Sequence, residues 1–110
     1  MKMPNAERAV VDVGKLTAYS LNRQHEAGKH KARVFQSALG ITISEADWLR
    51  ERLLQSVLEE EAFEGAPSPF GRKYVVDIWL QRGECRAQVR STWIIEYGKD
   101  FPRLTSCYVI

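Results

Sequence analysis

The sequence predicts an α+β domain in which N-terminal helices pack on one face of a C-terminal antiparallel β-meander. Three observations predict it. Apolar residues recur at spacings of three and four through residues 1–64 and alternate at a spacing of two from residue 73 onward. Between the halves runs Glu64-Gly-Ala-Pro-Ser-Pro-Phe-Gly71, where two prolines and two glycines break any regular element. Finally, 110 residues, 45% apolar and 27% charged, suffice for one domain with its own core and are too few for two. The expected organisation is a single domain over 1–110, with a helical half 1–64, a linker 65–72 and a β half 73–110.

Val13 to Leu21 reads as a short first helix with Leu16 and Tyr19 inward, followed by a polar, irregular stretch from Asn22 to Gly28. Lys31 to Leu39 reads as the second helix, burying Ala32, Phe35 and Leu39, and Gly40 sits where a glycine in left-handed conformation ends a helix. For the third helix, Ser44 is the expected N-cap with Asp47 as a shortened capping box, and Ile43 and Trp48 are placed to act as a hydrophobic staple. Leu49, Leu53 and Val57 form its apolar stripe, widened by Leu54 and Leu58. Past the linker, Tyr74, Val76, Ile78 and Leu80 face one way and Val75, Asp77 and Trp79 the other. Gln81 to Glu84 is a turn. Ala87, Val89, Ser91, Trp93 and Ile95 then form one face of a second strand, with Arg86, Gln88, Arg90, Thr92 and Ile94 on the other. After a turn region from Tyr97 to Pro102, Leu104 to Ile110 is the last strand. With helices covering one face, the face bearing Arg86, Gln88, Arg90 and Thr92 is solvated or bound to something.

Composition narrows location and chemistry. The apolar run Ala9-Val10-Val11 is broken at once by Asp12, and no run approaches a signal or membrane segment, so a cytoplasmic protein without membrane contact is expected. Cys85 and Cys107 lack any metal-binding spacing and read as reduced, buried residues, with a disulfide between neighbouring strands left open. No metal or cofactor is expected. The net charge of +2 argues by itself against a nucleic-acid partner, but it hides a gradient. Residues 1–44 hold seven basic and three acidic side chains, residues 45–64 two and seven, and residues 65–110 seven and four. One reading is an ordinary solvated surface; the other is a phosphate-binding sheet face with an acidic back.

The densest polar cluster, Asn22 to Lys31, holds both histidines, His25 and His30, flanked by Lys29 and Lys31. Histidine is the side chain best suited to proton transfer near neutral pH, and the lysines could neutralise a phosphate. The plainer reading is an exposed basic loop capping the second helix, and for His25 that is the better one. Arg90, in Arg90-Ser-Thr-Trp93, is either a solubilising strand residue or a phosphate clamp. Strand parity puts Ser106 and Tyr108 on one face, where cross-strand packing is the simpler role. No hydrolase elbow, phosphate-binding loop or metalloprotease motif is present.

Leu21-Asn22 with His25, then Gly28-Lys-His-Lys-Ala-Arg-Val-Phe35, Leu39-Gly40 and Asp100-Phe-Pro-Arg-Leu-Thr-Ser-Cys-Tyr108, resemble an uncharacterised bacterial domain family. That family occurs in polymorphic-toxin, toxin–antitoxin and phage-related settings, beside a short partner. More remotely, the sequence resembles the barnase–EndoU–colicin–RelE group of metal-independent ribonucleases. These pair N-terminal helices with an open antiparallel sheet that cleaves RNA. The resemblance implies Lys29, His30, Arg90, Ser106 and Tyr108 as catalytic residues and His25, Lys31, Thr92 and Arg103 as substrate-binding ones. The group's usual second distal histidine is missing, so His25 or Lys31 would substitute. The implied function is a toxin-like endoribonuclease with RNA as substrate and a small cognate antitoxin or immunity protein as partner. The alternatives are a non-catalytic protein-binding module of the same kind of locus, or a domain that binds RNA without cutting it.

Overall fold

The computed structural model describes residues 1–110 and shows helices in the N-terminal half followed by an antiparallel sheet, as the periodicities predict. The helices are α1 (Val13–Lys15), which runs on into a single π-turn over Leu16–Ser20, α2 (Lys29–Leu39) and α3 (Ala46–Glu59). The strands are β1 (Phe63–Glu64), β2 (Gly71–Arg82), β3 (Cys85–Glu96) and β4 (Arg103–Val109), in the order β1-β2-β3-β4. The sheet therefore has one strand more than expected. Phe63 and Glu64, read as the end of the helical half, pair with Val75 and Tyr74.

A core of 21 side chains joins the two layers. Leu16, Phe35, Leu39, Leu49, Leu53 and Val57 come from the helices, and Tyr74, Val76, Val89, Trp93 and Leu104 from the strands. The predicted inward positions of α2 and the Leu49-Leu53-Val57 stripe are all buried, whereas Leu58 is 49% exposed, one residue's rotation round the helix from buried Val57. Tyr19, expected inside, is only half-buried: the π-turn rotates it out of the helical stripe.

Two helix starts differ from expectation. α2 begins at Lys29, so Lys29 and His30 lie in its first turn. The cap of the third helix is Thr42, not Ser44: a 3₁₀ turn over Ile43–Glu45 precedes α3, and the Glu45 carboxylate accepts the Thr42 amide at 2.7 Å while the Thr42 hydroxyl accepts from the Ser44 amide. This is a capping box two residues early, because Thr42-x-x-Glu45 supplies a longer acid than Asp47. It leaves Ile43 46% exposed, so no Ile43–Trp48 staple forms; Ile41, before the cap, is the buried residue. Gly40 ends α2 at φ 67°, as expected, with its amide on the Gln36 carbonyl.

β2 and β3 pair without interruption from Gly71↔Glu96 to Arg82↔Cys85 across the two-residue turn Gly83-Glu84. Gly83, at φ 61°, occupies the first central position, which a type II′ hairpin reserves for glycine. The β3–β4 register shifts beside Thr92, where Thr105 is the extra residue of a bulge. The N-terminal segment closes the start of β4: Val10 pairs with Arg103, exchanging hydrogen bonds with Pro102 and Leu104. The cysteines are not bonded to each other; Cys107 is buried, but Cys85 is exposed because it opens β3 at the hairpin turn.

Candidate functional site

The bulge decides which side chains of β4 face the open side of the sheet. Simple alternation would put Leu104 with Ser106 and Tyr108. Instead Leu104 pairs with Trp93 and Cys107 with Ser91, both on the core side, while Ser106 pairs with Thr92 and Tyr108 with Arg90 on the other. The bulged Thr105 and Thr92 lock the irregularity, with their hydroxyls 2.7 Å apart and Thr105 Oγ1 also 3.0 Å from the Thr92 carbonyl oxygen. Ser106 and Tyr108 therefore do share a face, and they share it with Arg90.

Across that face runs the row Asp77–Arg90–Tyr108. Arg90 donates from Nε and Nη2 to the two carboxylate oxygens of Asp77, each at 2.9 Å, in a bidentate pair. The hydrogen bond and charge of Asp77, with a smaller contribution from Tyr108, hold the guanidinium firmly in its charged form. Asp77 takes Nε and Nη2 and so fixes the orientation of the guanidinium, whose remaining edge is turned away from the carboxylate.

Lys31 reaches the same place from α2. Its Nζ lies 3.3 Å from Ser106 Oγ, 4.9 Å from the centre of the Tyr108 ring and 5.6 Å from that of Tyr19. No carboxylate lies within ion-pair distance of it. Lys15, whose Nζ is 3.5 Å from the Thr105 carbonyl oxygen, flanks it. A cleft of about 620 Å³ opens between the π-turn, α2 and the edge of β4, lined by Lys15, Tyr19, Lys31, Thr105 and Ser106, with Asp12 and Gly14 at its rim.

Two residues hold the wall of this cleft in place. His25 Nδ1 accepts from the amides of Ala27 and Gly28, each at 3.0 Å, and its ring meets Tyr19 edge-on at 4.7 Å. With Nδ1 an acceptor, the ring proton sits on Nε2. Gly28 is buried against the π-turn so closely that a Cβ would lie 2.4 Å from the Tyr19 carbonyl oxygen. The predicted residues are thus not all together. Lys31, Arg90, Ser106, Tyr108 and Thr92 converge, and His25 supports them. Lys29 points elsewhere, toward Glu26 at 3.7 Å, as two positions along a helix require. His30 is exposed and makes no hydrogen bond or ion pair. Arg103 is bound by Glu96 at 3.1 Å.

Sequence reasoning missed Lys15, Tyr19, Thr105 and the pairing of Asp77 with Arg90. Only the last left a signal: a two-residue turn at Gly83-Glu84 fixes the hairpin register and sets Asp77 opposite Arg90. No group of three or more His, Cys, Asp or Glu side chains converges to hold a metal ion. No helix is long and apolar enough to cross a membrane.

Helices on one face of an antiparallel sheet, with a lysine-lined cleft at the edge strand, define a small α+β domain with a cleft that carries two cationic side chains. More specifically, the chain belongs to the family described as "Domain of unknown function (DUF6883)", whose model matches residues 2–110. Among solved structures, it is similar to a chain of a "Contact-dependent growth inhibition toxin - immunity protein complex from Klebsiella pneumoniae 342". The identity is 14% and the TM-score 0.69, over 92% of this chain and 99% of that one, so the fold is shared. A comparison with curated proteins finds no match.

Proposed function

We propose that this domain is the RNA-cleaving part of a bacterial toxin system, acting through side chains alone. The observation that carries the reading is the convergence of Lys31 on Ser106 and Tyr108, beside Arg90, at the edge of an open sheet face. Shared fold with a chain of a toxin–immunity complex supports the setting and a small cognate partner.

The reaction that suits such a site is attack of a ribose 2′-oxygen on the adjacent phosphorus. The O2′–P bond forms, the P–O5′ bond breaks, and a 2′,3′-cyclic phosphate and a 5′-hydroxyl result. Two non-bridging oxygens gain charge on the way. Lys31 and the Arg90 guanidinium are the cations that meet that charge, and Ser106 Oγ orients the phosphate. Tyr108 and Tyr19 offer ring faces on which flanking bases stack. Lys31 takes the phosphate role that the motif assigned to Lys29, since Lys29 is turned toward Glu26. Proton transfer is assigned to His30, which sits exposed in the first turn of α2, one residue before Lys31, and makes no hydrogen bond or ion pair.

Incubating the protein with total RNA in the presence of a chelator tests this. Wild type yields fragments ending in cyclic phosphate. Lys31→Ala and Arg90→Ala each lose activity by about 10²–10³-fold, the usual effect of removing one charge-stabilising group. His30→Ala also loses rate. Lys29→Ala stays within a few-fold of wild type. Intact RNA with wild type, or full cleavage by Lys31→Ala, sinks the proposal.

The Asp77 carboxylate on Arg90 favours a second reading, because it occupies most of the guanidinium that a phosphate would want. In that reading the chain is a non-catalytic module that binds a partner protein. Expression in the absence of any partner separates the two, since a nuclease arrests growth and a binding module does not.

A further inference from the structure

β2 is twelve residues long, yet β1 covers its outer edge only at Tyr74 and Val75. The Gly65 amide is bonded to the Lys73 carbonyl on that side, while the Val76 carbonyl points inward to Ser91. Backbone groups alternate along a strand, so the N–H and C=O groups of Asp77, Trp79 and Gln81 also point outward. No strand pairs with them, and no other segment donates to or accepts from them.

Open edges are usually blunted by proline, lysine or a bulge. Here the β2–β3 register runs unbroken, and Val76 to Leu80 contains neither proline nor lysine. Beside the edge lies a groove of about 250 Å³, walled by Gln55, Glu59 and Glu60 at the end of α3 and lined by Ile78, Trp79 and Leu80. Trp79 is 57% exposed, with the Arg86 guanidinium stacked 4.3 Å from its ring centre. The Glu59 and Glu60 carboxylates carry no ion pair and stand where the helix dipole is already negative; Gln55 donates to the Glu59 carboxylate, Lys2 binds the Glu59 carbonyl, and Arg52 is the one cation that lines the groove.

We infer that this edge docks an extended, basic segment of a partner protein. The segment adds as a strand beside Asp77–Gln81, lays an aliphatic side-chain stem on Trp79 and sets lysine or arginine against Glu59 and Glu60. A second copy of this chain fits poorly, since each copy would bring its own acidic helix end to the shared edge. The surface is on the far side of the sheet from β4, so the inference holds whether or not the cleft cleaves RNA.

The test is to titrate the full chain with the synthetic peptide Thr-Lys-Val-Lys-Val-Lys-Thr and with its counterpart carrying Glu for Lys, following amide hydrogen exchange. The basic peptide slows exchange at Asp77, Trp79 and Gln81 and binds at least about tenfold more tightly than the acidic one. The double variant Glu59→Lys, Glu60→Lys, with circular dichroism and RNA cleavage unchanged, loses at least about tenfold in affinity for the basic peptide. No binding, equal binding of the two peptides, or protection confined to β4 overturns the inference. So does a dimer that protects the same amides without peptide, which would give the edge to a second copy.

Discussion

Ser91 shows how much a single buried hydroxyl can organise. Its Oγ accepts the Trp93 indole N–H at 2.8 Å and donates to the Val76 carbonyl at 3.1 Å, all out of contact with water. Ser91→Ala strands the indole donor, so a loss of about 1–3 kcal/mol is expected in urea unfolding. Tyr74 is the contrast: its hydroxyl is buried without a partner, so Tyr74→Phe leaves stability unchanged or raises it. The cysteines give a second residue-scale prediction. Burial pushes the Cys107 thiol up to about 11, whereas Cys85 is exposed, so a thiol reagent at pH 8 titrates one equivalent in the native protein and two after unfolding. The same shift has a sign for stability. The unfolded thiol, near about 8.5, loses its proton first, so the Cys107 contribution is complete below that pH and is lost as pH rises toward about 11. Cys107→Ala flattens the fall in thermal midpoint over that window. Alternation in the sequence was enough to bury Ser91 and Trp93. It could not separate Cys85 from Cys107, because a hairpin end and a strand centre look alike in a run of β-forming residues.

The elements that shape the cleft are the irregular ones. A π-turn turns Tyr19 outward, and Gly28 lets α2 lie directly on that turn. Gly28→Ala would force the π-turn and α2 apart, and with them Tyr19 and Lys31. The expected result is a loss of about 1–3 kcal/mol in stability and, on the proposed ribonuclease reading, weaker RNA cleavage, read by unfolding and by the gel assay. Gly83→Ala serves as the comparison: it strains only the hairpin turn, where no atom lies within 4 Å, and leaves cleavage unchanged. Regular elements were legible in the sequence for a physical reason: the Ala32-Phe35-Leu39 and Tyr74-Val76-Ile78-Leu80 patterns each express one period. The irregular elements were not. A π-turn differs from a helix by one residue per turn, and the bulge at Thr105 by one residue in a strand; both are settled by tertiary contacts, here Lys15 and Thr92, that no local pattern contains. Ser106 and Tyr108 were still placed together because both lie beyond the bulge, where parity is preserved.

For the molecule as a whole, charge is segregated rather than balanced. Lys15, Lys31 and Arg90 gather at the β4 side, and the acids of α3 gather at the β2 side. On the proposed ribonuclease reading, RNA at the cleft shows a salt dependence set by few contacts. A slope of log affinity against log salt near about −2 is expected in a filter-binding titration with cleavage-blocked RNA, and it becomes shallower by about 0.7 in Lys31→Ala. A slope that Lys31→Ala leaves unaltered would place the RNA elsewhere on the surface. The parallel bridge between Val10 and Arg103 carries a different consequence, for the order in which the chain assembles. It joins segments at opposite ends of the sequence, as does the Asn5 side chain donating to the Asp100 carbonyl. The loop such contacts close is nearly the whole chain, whereas the β2–β3 hairpin closes over two residues. The hairpin is the natural nucleus and the N-terminal clasp the final step. Since that clasp also carries Asp12, Gly14 and Lys15 to the rim of the cleft, the cleft is completed only when folding is.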